Sequence, residues 1–156
     1  EMKKTLTIVF IFLSLSVFSR DIRFRRIDMN SGLSHNSVLC LAQDKSGLIW
    51  IGTRDGLNRF NGIDYTIYKH NFDDKGSISN NQINCLCETR AGDLWIGTAY
   101  GLSWFNSDCE CFENYFPADE PSGITNEYVR SLVETSGGEL LIGTSSGLDW
   151  NKRGRS

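Results

Sequence analysis

Five cysteines, Cys40, Cys85, Cys87, Cys109 and Cys111, are the residues of this chain whose type and spacing most readily suggest chemistry. Cys85-Leu86-Cys87 and Cys109-Glu110-Cys111 form two Cys-x-Cys pairs, and four thiolates of that kind could hold a tetrahedral zinc ion. An odd count leaves at least one cysteine without an intrachain partner. His35 and His70 are the two side chains whose ordinary proton affinity suits acid or base work near neutral pH. Both stand beside asparagine, and no Ser, Cys or Asp is spaced around them as a nucleophilic triad requires. The acidic pairs Asp73-Asp74 and Asp119-Glu120 offer fewer oxygens than a calcium ion takes and read as solvated loops.

The elements that would position these groups are repeated. Residues 48–60 read LIWIGTRDGLNRF, residues 93–105 read DLWIGTAYGLSWF, and residues 139–151 read ELLIGTSSGLDWN. Gly52, Gly97 and Gly143 are equivalent and stand 45 and 46 residues apart. Thr53, Thr98 and Thr144 follow them, then Gly56, Gly101 and Gly147. Upstream, Leu33-Ser34, Ile78-Ser79 and Ile124-Thr125 precede each reference glycine by 19 residues. A period of roughly 40–50 residues without helical apolar spacing is that of β-propeller blades.

Each unit divides into four strand-like pieces, in the first one over 38–43, 48–53, 57–61 and 64–69, separated by turns rich in Gly and Asn. The expected fold class is therefore all-β, with four-stranded antiparallel meanders as blades. Ile49, Trp50 and Ile51 are apolar on both faces of their strand, which requires cover on both sides, and neighbouring blades would supply it. The boundaries follow as blade 1 over 33–77, blade 2 over 78–123 and an incomplete blade 3 over 124–156. Residues 20–32, with Ile22 to Ile27 as the strand itself, are expected to be the outer strand of a ring-closing blade. About three blades make an incomplete propeller, because a closed ring takes at least four.

This frame decides the zinc question. Cys40 and Cys85 occupy one inner-strand slot with Ser131, and Cys87 matches Ala42 and Val133. Those are packing positions, whereas Cys109 and Cys111 fall near the outer strand, some 14 Å away at a strand spacing of about 4.8 Å. One zinc ion cannot bridge that distance, and no metal or cofactor is expected.

Lys3 and Lys4 followed by the apolar run Leu6 to Phe18 have the layout of a signal-peptide helix, with cleavage expected after Ser19. The run is shorter than the roughly 20 residues of a membrane span. Export makes disulfides possible. The chain carries 16 basic and 19 acidic residues, and removal of Glu1, Lys3 and Lys4 with the leader leaves 14 and 18. Such a balance gives no electrostatic reason to expect nucleic acid as a partner.

Motifs shared by all blades serve the frame, so Gly52, Gly56, Gly97, Gly101, Gly143 and Gly147 are expected to be structural, and so are Trp50 and Trp95, whose slot Leu141 fills in the third copy as a packing position between blades. Recognition should use positions that vary on that frame. Arg54-Asp55 and Ala99-Tyr100 occupy one turn, Arg59 and Trp104 share a second slot, and Leu39, Asn84 and Arg130 a third. Arg54, Asp55, Arg59, Asn84, Tyr100, Trp104 and Arg130 are the ligand-binding candidates, and no residue is assigned a catalytic role. Aromatic and planar hydrogen-bonding groups suit sugars, whose ring faces are apolar and whose hydroxyls donate and accept.

The phrases GLSHNSVLCLAQDKSGLIWIGTRDGLNRFNG and SISNNQINCLCETRAGDLWIGTAYGLSWFN resemble the two-component-regulator propeller repeats of periplasmic sensor regions in hybrid two-component histidine kinases. The resemblance spans residues 24–150 or so. It implies a larger sensor with two seven-bladed propellers, an immunoglobulin-like domain, a span in the inner membrane, and kinase, receiver and DNA-binding domains. It implies an oligosaccharide ligand, a homodimeric parent and control of polysaccharide utilisation. Kinase activity is implied only for that parent.

Two other classes compete. A propeller glycosidase or lyase is suggested by Asp44-Lys45-Ser46-Gly47, which is faintly similar to a sialidase aspartate box. Its spacing differs, however, Thr89 and Thr135 replace the Asp in later copies, and no carboxylate pair recurs. A short exported scaffold that self-assembles would cure the uncovered faces of three isolated blades.

Overall fold

A computed structural model describes residues 21–117 and 123–151. The expected leader over 1–19 and the Asp119-Glu120 pair lie outside those residues. Three antiparallel meanders follow one another. The first contains β1 (Val38–Gln43), β2 (Ile49–Thr53), β3 (Gly56–Phe60) and β4 (Tyr65–Tyr68), paired in that order. The second contains β5 (Ile83–Glu88), β6 (Leu94–Thr98), β7 (Leu102–Asn106) and β8 (Cys111–Tyr115). The third contains β9 (Val129–Glu134), β10 (Leu140–Thr144) and β11 (Gly147–Asn151), paired in order.

Turn chemistry explains where the strands break. Asp44 Oδ1 accepts from the backbone N–H of Ser46 and of Leu48, each at 2.9 Å, and closes the β1–β2 turn. Thr89 Oγ1 takes over part of this in blade 2 by accepting from Asp93 N–H at 3.1 Å, and Thr135 from Glu139 N–H at 3.2 Å in blade 3. In the β2–β3 turn Thr53 Oγ1 accepts from Asp55 N–H and donates to Gly56 O, and Gly56 has φ +128°, where a side chain would be strained. Thr98 and Thr144 repeat the arrangement.

The core lies between sheets. Trp50, Leu57, Ile83, Leu94, Ile96, Phe105 and Phe112 form one buried cluster across blades 1 and 2. Trp95, Leu102, Ile124, Val129, Leu140 and Ile142 form the corresponding cluster across blades 2 and 3. Strands apolar on both faces are thus covered by neighbouring blades, as the repeat requires. Leu148 and Trp150 of β11 are exposed on the face that no described sheet covers.

The repeated glycine makes this spacing possible. A Cβ on Gly52 would lie 2.6 Å from Ile83 Cγ2 of the next blade and would overlap Cys40 Sγ, its cross-strand neighbour. A Cβ on Gly97 would lie 2.6 Å from Val129 Cγ1 and would overlap Cys85 Sγ.

A buried polar group ties each β4-type connection to its blade. Ser34 Oγ bonds Thr53 Oγ1 at 2.9 Å, while Asn58 donates to Ser34 Oγ and to Ile51 O and accepts from Ser34 N–H. Ser79, Thr98 and Ser103 form the same group in blade 2.

Residues 21–28 lie outside the three described sheets, with Ile22 and Phe24 exposed. A strand forms where an edge offers its N–H and C=O groups, and the ring-closing blade that would offer one to this segment is not among the described sheets.

Gly97→Ala is expected to cost about 2–3 kcal/mol, because both blocking atoms belong to packed strands. Gly137→Ala, where the nearest atom to an added Cβ is Thr135 Oγ1 at 3.6 Å, serves as the control and should stay within about 0.5 kcal/mol. Denaturant midpoints of the two variants test this, and a G97A protein as stable as the parent would refute the account.

Candidate functional site

Every inner strand carries a bulge at one equivalent position. β1 pairs Val38 with Thr53 and Cys40 with Gly52, so Leu39 has no partner across the ladder. β5 pairs Ile83 with Thr98 and Cys85 with Gly97, which leaves Asn84 out. β9 pairs Val129 with Thr144 and Ser131 with Gly143, which leaves Arg130 out. A bulge inserts one residue and re-aims its side chain. The three residues so displaced, Leu, Asn and Arg, are the variable slot of the sequence.

Two of them are brought together. Gln82 Nε2 donates to Asn84 Oδ1 and to the Tyr128 hydroxyl, both at 3.0 Å. The Arg130 guanidinium carbon lies 5.0 Å from the Tyr128 ring centre, and Arg130 Nε donates to Ser145 Oγ at 3.1 Å. Asn84 Nδ2 donates to Val129 O at 2.8 Å, which fixes the cluster across blades 2 and 3. Tyr128 and Gln82 were not among the residues expected to bind. The available signal was their place immediately before β9 and β5, where Ser37 precedes β1: a second variable slot beside the first.

The meander sorts the remaining candidates by strand end. The β2–β3 turns and the connections between blades lie at the same end as the bulges, and this end is called the front. Arg54 is exposed there. Asp55 accepts from Lys69 Nζ at 2.6 Å and from Asn81 Nδ2 at 3.2 Å, which makes it an inter-blade tie. Tyr100 is exposed and its ring centre lies 5.7 Å from that of Phe116.

Arg59 and Trp104 belong to the opposite, back end. Arg59 pairs across the ladder with Trp50, and Trp104 with Trp95. The Arg59 guanidinium lies within 6 Å of the Trp50 and Tyr68 ring centres, at 5.8 and 5.7 Å, and bonds Glu110 at 2.7 Å. That is an attachment of blade 2 to blade 1. Trp104 Nε1 donates to Asp93 Oδ1 at 3.0 Å. Both Asp93 and Trp104 line a back cleft of about 330 Å³ that also includes Asp44, Lys45, Glu88 and Asp108. Trp50 and Trp95 are buried, and Trp50 Nε1 donates to Asp44 Oδ2 at 2.8 Å, which gives the aspartate of the sialidase-like phrase a structural task.

The cysteines divide as their strands do. Cys109 and Cys111 are joined by a disulfide at the β7–β8 turn, with Glu110 between them at φ +51°. Cys40, Cys85 and Cys87 are free and partly buried on the inner strands. Burial pushes the thiols of Cys40 and Cys85 up to about 12, against a smaller opposing effect of the Gly52 and Gly97 backbone. His70 Nδ1 is engaged with Ile78 O in the connection between blades 1 and 2, and His35 Nδ1 accepts from Ser37 N–H in the segment before β1. Among the described residues no group of three or more metal-ligating side chains converges.

Comparison with known proteins now bears on the whole arrangement. The sequence pattern of the family described as two component regulator propeller matches residues 32–55 and 77–100, the two copies that carry the repeated glycine and threonine. Those two stretches are similar to two component regulator propeller repeats. A stretch of 72 residues is 42% identical to histidine kinase P4 of Formosa agariphila, and it covers 45% of this chain and 5% of that one. The extracellular domain assigned to the hybrid two component system BT3049 of B. thetaiotaomicron superposes with a TM-score of 0.72 at 28% identity, over 81% of this chain and 18% of that domain. The corresponding BT4673 domain, at 23% identity and a TM-score of 0.67, covers 85% of this chain and 19% of its own, and shares the fold. The matched part of this chain thus spans less than a fifth of each of these relatives.

Two outcomes follow from the cysteines. Because the Cys40 and Cys85 thiols remain protonated, alkylation of the native protein at pH 8 should leave them unmodified, and both should react once the chain is denatured. Reduction of the Cys109–Cys111 bond, which closes a very short loop, should lower stability by about 1–2 kcal/mol in a denaturation series run with and without a dithiol.

Proposed function

We propose that this chain is part of the ligand-sensing propeller of a periplasmic hybrid two-component sensor histidine kinase that detects oligosaccharides and controls polysaccharide utilisation. The observation that carries the proposal is the bulge series: one frame position, re-aimed in every blade, holds Leu39, Asn84 and Arg130 in turn. Packing would favour a single residue type there, whereas recognition favours different ones. Around it Gln82, Tyr128 and Arg130 present donors, acceptors and a ring, the combination that suits sugar hydroxyls and faces. The resemblance to extracellular sensor domains supports a location outside the inner membrane, with the parent anchored in it.

In this reading residues 33–77, 78–123 and 124–156 are successive blades, and residues 20–32 close the ring when further blades are present. Arg54 and Tyr100 extend the binding face, while Arg59, Trp104 and Asp55 act through the fit of one blade on the next. Ligand would favour one arrangement of a homodimeric parent, so that signalling is a shift of population with no bond made or broken in these blades. The affinity difference between the two arrangements bounds the response.

The test is calorimetric titration of the complete exported region with oligosaccharides of defined composition. Binding should be saturable, and Tyr128→Ala should weaken it about tenfold while leaving the melting temperature within a few degrees. Shortened sugar products would instead identify a glycosidase or lyase, and an unchanged affinity in Y128A would remove the cluster from the binding face.

A further inference from the structure

We propose that the ligand of the front cluster is an anionic oligosaccharide, held through a carboxylate or sulfate group by Arg130. This rests on the reading that the propeller binds sugars, and goes beyond it by naming their charge.

Arg130 is exposed, yet it is not a loose surface cation. Its guanidinium carbon lies over the Tyr128 ring, 5.0 Å from the ring centre, and its Nε is tied to Ser145 Oγ at 3.1 Å. Those two restraints leave the terminal nitrogens as a planar fork with no protein partner among the described residues. Such a fork matches two oxygens of a carboxylate or sulfate at once, and its orientation is already settled before binding. The ordering that a flexible arginine would undergo on binding is therefore largely complete.

The other arginines show what an occupied guanidinium looks like in this fold. Arg59 is joined to Glu110 at 2.7 Å, and Arg90 Nη1 donates to Ser136 O at 3.0 Å beside Glu134. Among the described residues no carboxylate forms an ion pair with Arg130. Arg54, at the same front end, likewise has none. The front-end Asp55 is already neutralised by Lys69.

Charge elsewhere sharpens the choice. At the back, Arg59 and Arg90 are already paired with Glu110 and Glu134, so their guanidinium groups are not free to take an anionic chain. The formal net charge of −3 gives a large polyanion such as nucleic acid no general attraction, which leaves local recognition of a short anionic chain. Next to the fork, the Tyr128 hydroxyl accepts from Gln82 and keeps its own proton available for a ligand oxygen. The bulge decides the placement: the equivalent residue in blade 1 is Leu39 and in blade 2 Asn84, so the anionic group seats at blade 3 and neutral hydroxyls along blades 1 and 2.

The test uses the complete exported region and matched sugars that differ only in charge: oligogalacturonate against its methyl ester, and a sulfated galacto-oligosaccharide against its desulfated form. A further panel of neutral oligosaccharides is titrated in parallel. The charged member of at least one pair should bind about tenfold more tightly or better. Arg130→Gln should abolish that preference, and Arg130→Lys, which keeps the charge and loses the fork, should restore only part of it. Circular dichroism and melting temperature confirm that both variants are folded, and Ser145→Ala, which frees Nε without touching the charge, should weaken the charged sugar by a smaller factor. Equal affinity within both pairs, or a preference that survives in R130Q, overturns the proposal. Binding confined to neutral sugars overturns it while the sugar-sensing reading stands, and binding of no sugar at all sinks both.

Discussion

The structure depends on a close approach that only glycine allows. At Gly52 the space a Cβ would fill is taken by Cys40 from the same blade and by Ile83 from the next, and at Gly97 by Cys85 and Val129. Each blade is therefore seated on its neighbour through the middle of its second strand. The apolar clusters grow around those contacts, with Trp50 and Phe105 edge to face at 4.9 Å between ring centres on one side of the seam. Because the seat repeats, the blades stack with the same offset, and the residues at their ends come into register from one blade to the next.

The same approach bears on the candidate site. In each inner strand the residue just before the one opposite the glycine is left out of the pairing, so the bulge and the glycine occur together three times. The frame thereby exempts one side chain per blade from packing. Freed of that duty, the position can vary, and it does so among Leu39, Asn84 and Arg130 without disturbing the fixed neighbours Val38, Ile83 and Val129. Fold and recognition are physically linked here: the constraint that builds the stack also creates the positions that can differ.

A second set of contacts holds the back of the stack. Glu88 accepts from Lys45 N–H and Glu134 from Arg90 N–H, each at 2.9 Å, so the end of one inner strand caps the turn of the preceding blade. The Arg59–Glu110 pair adds a link specific to blades 1 and 2, and there the Cys109–Cys111 bond brackets the glutamate. Being half exposed, that pair contributes at most about 1 kcal/mol, and its chief effect is to orient the turn.

The sequence by itself determined the class of fold, the number of blades and most strand limits, because period and turn chemistry are local properties carried by Gly47, Thr53, Gly56 and their repeats. It also separated the inner-strand cysteines from Cys109 and Cys111, since position within a repeat is position within a blade. What it could not carry was whatever depends on a partner strand. The pairing of Ile22 to Ile27 depends on a ring-closing blade that is not among the described sheets. Arg59 and Trp104 vary as a ligand-binding slot would, and only the stacked sheets place them at the other end of the strands, beside the seam and the back cleft. Tyr128 and Gln82 lie 46 residues apart and meet only when two blades are stacked. Tertiary structure decided which variable residues share one end of the strands and which are consumed in joining blades, because bulge direction and inter-blade register arise from packing between units that the linear pattern describes one at a time.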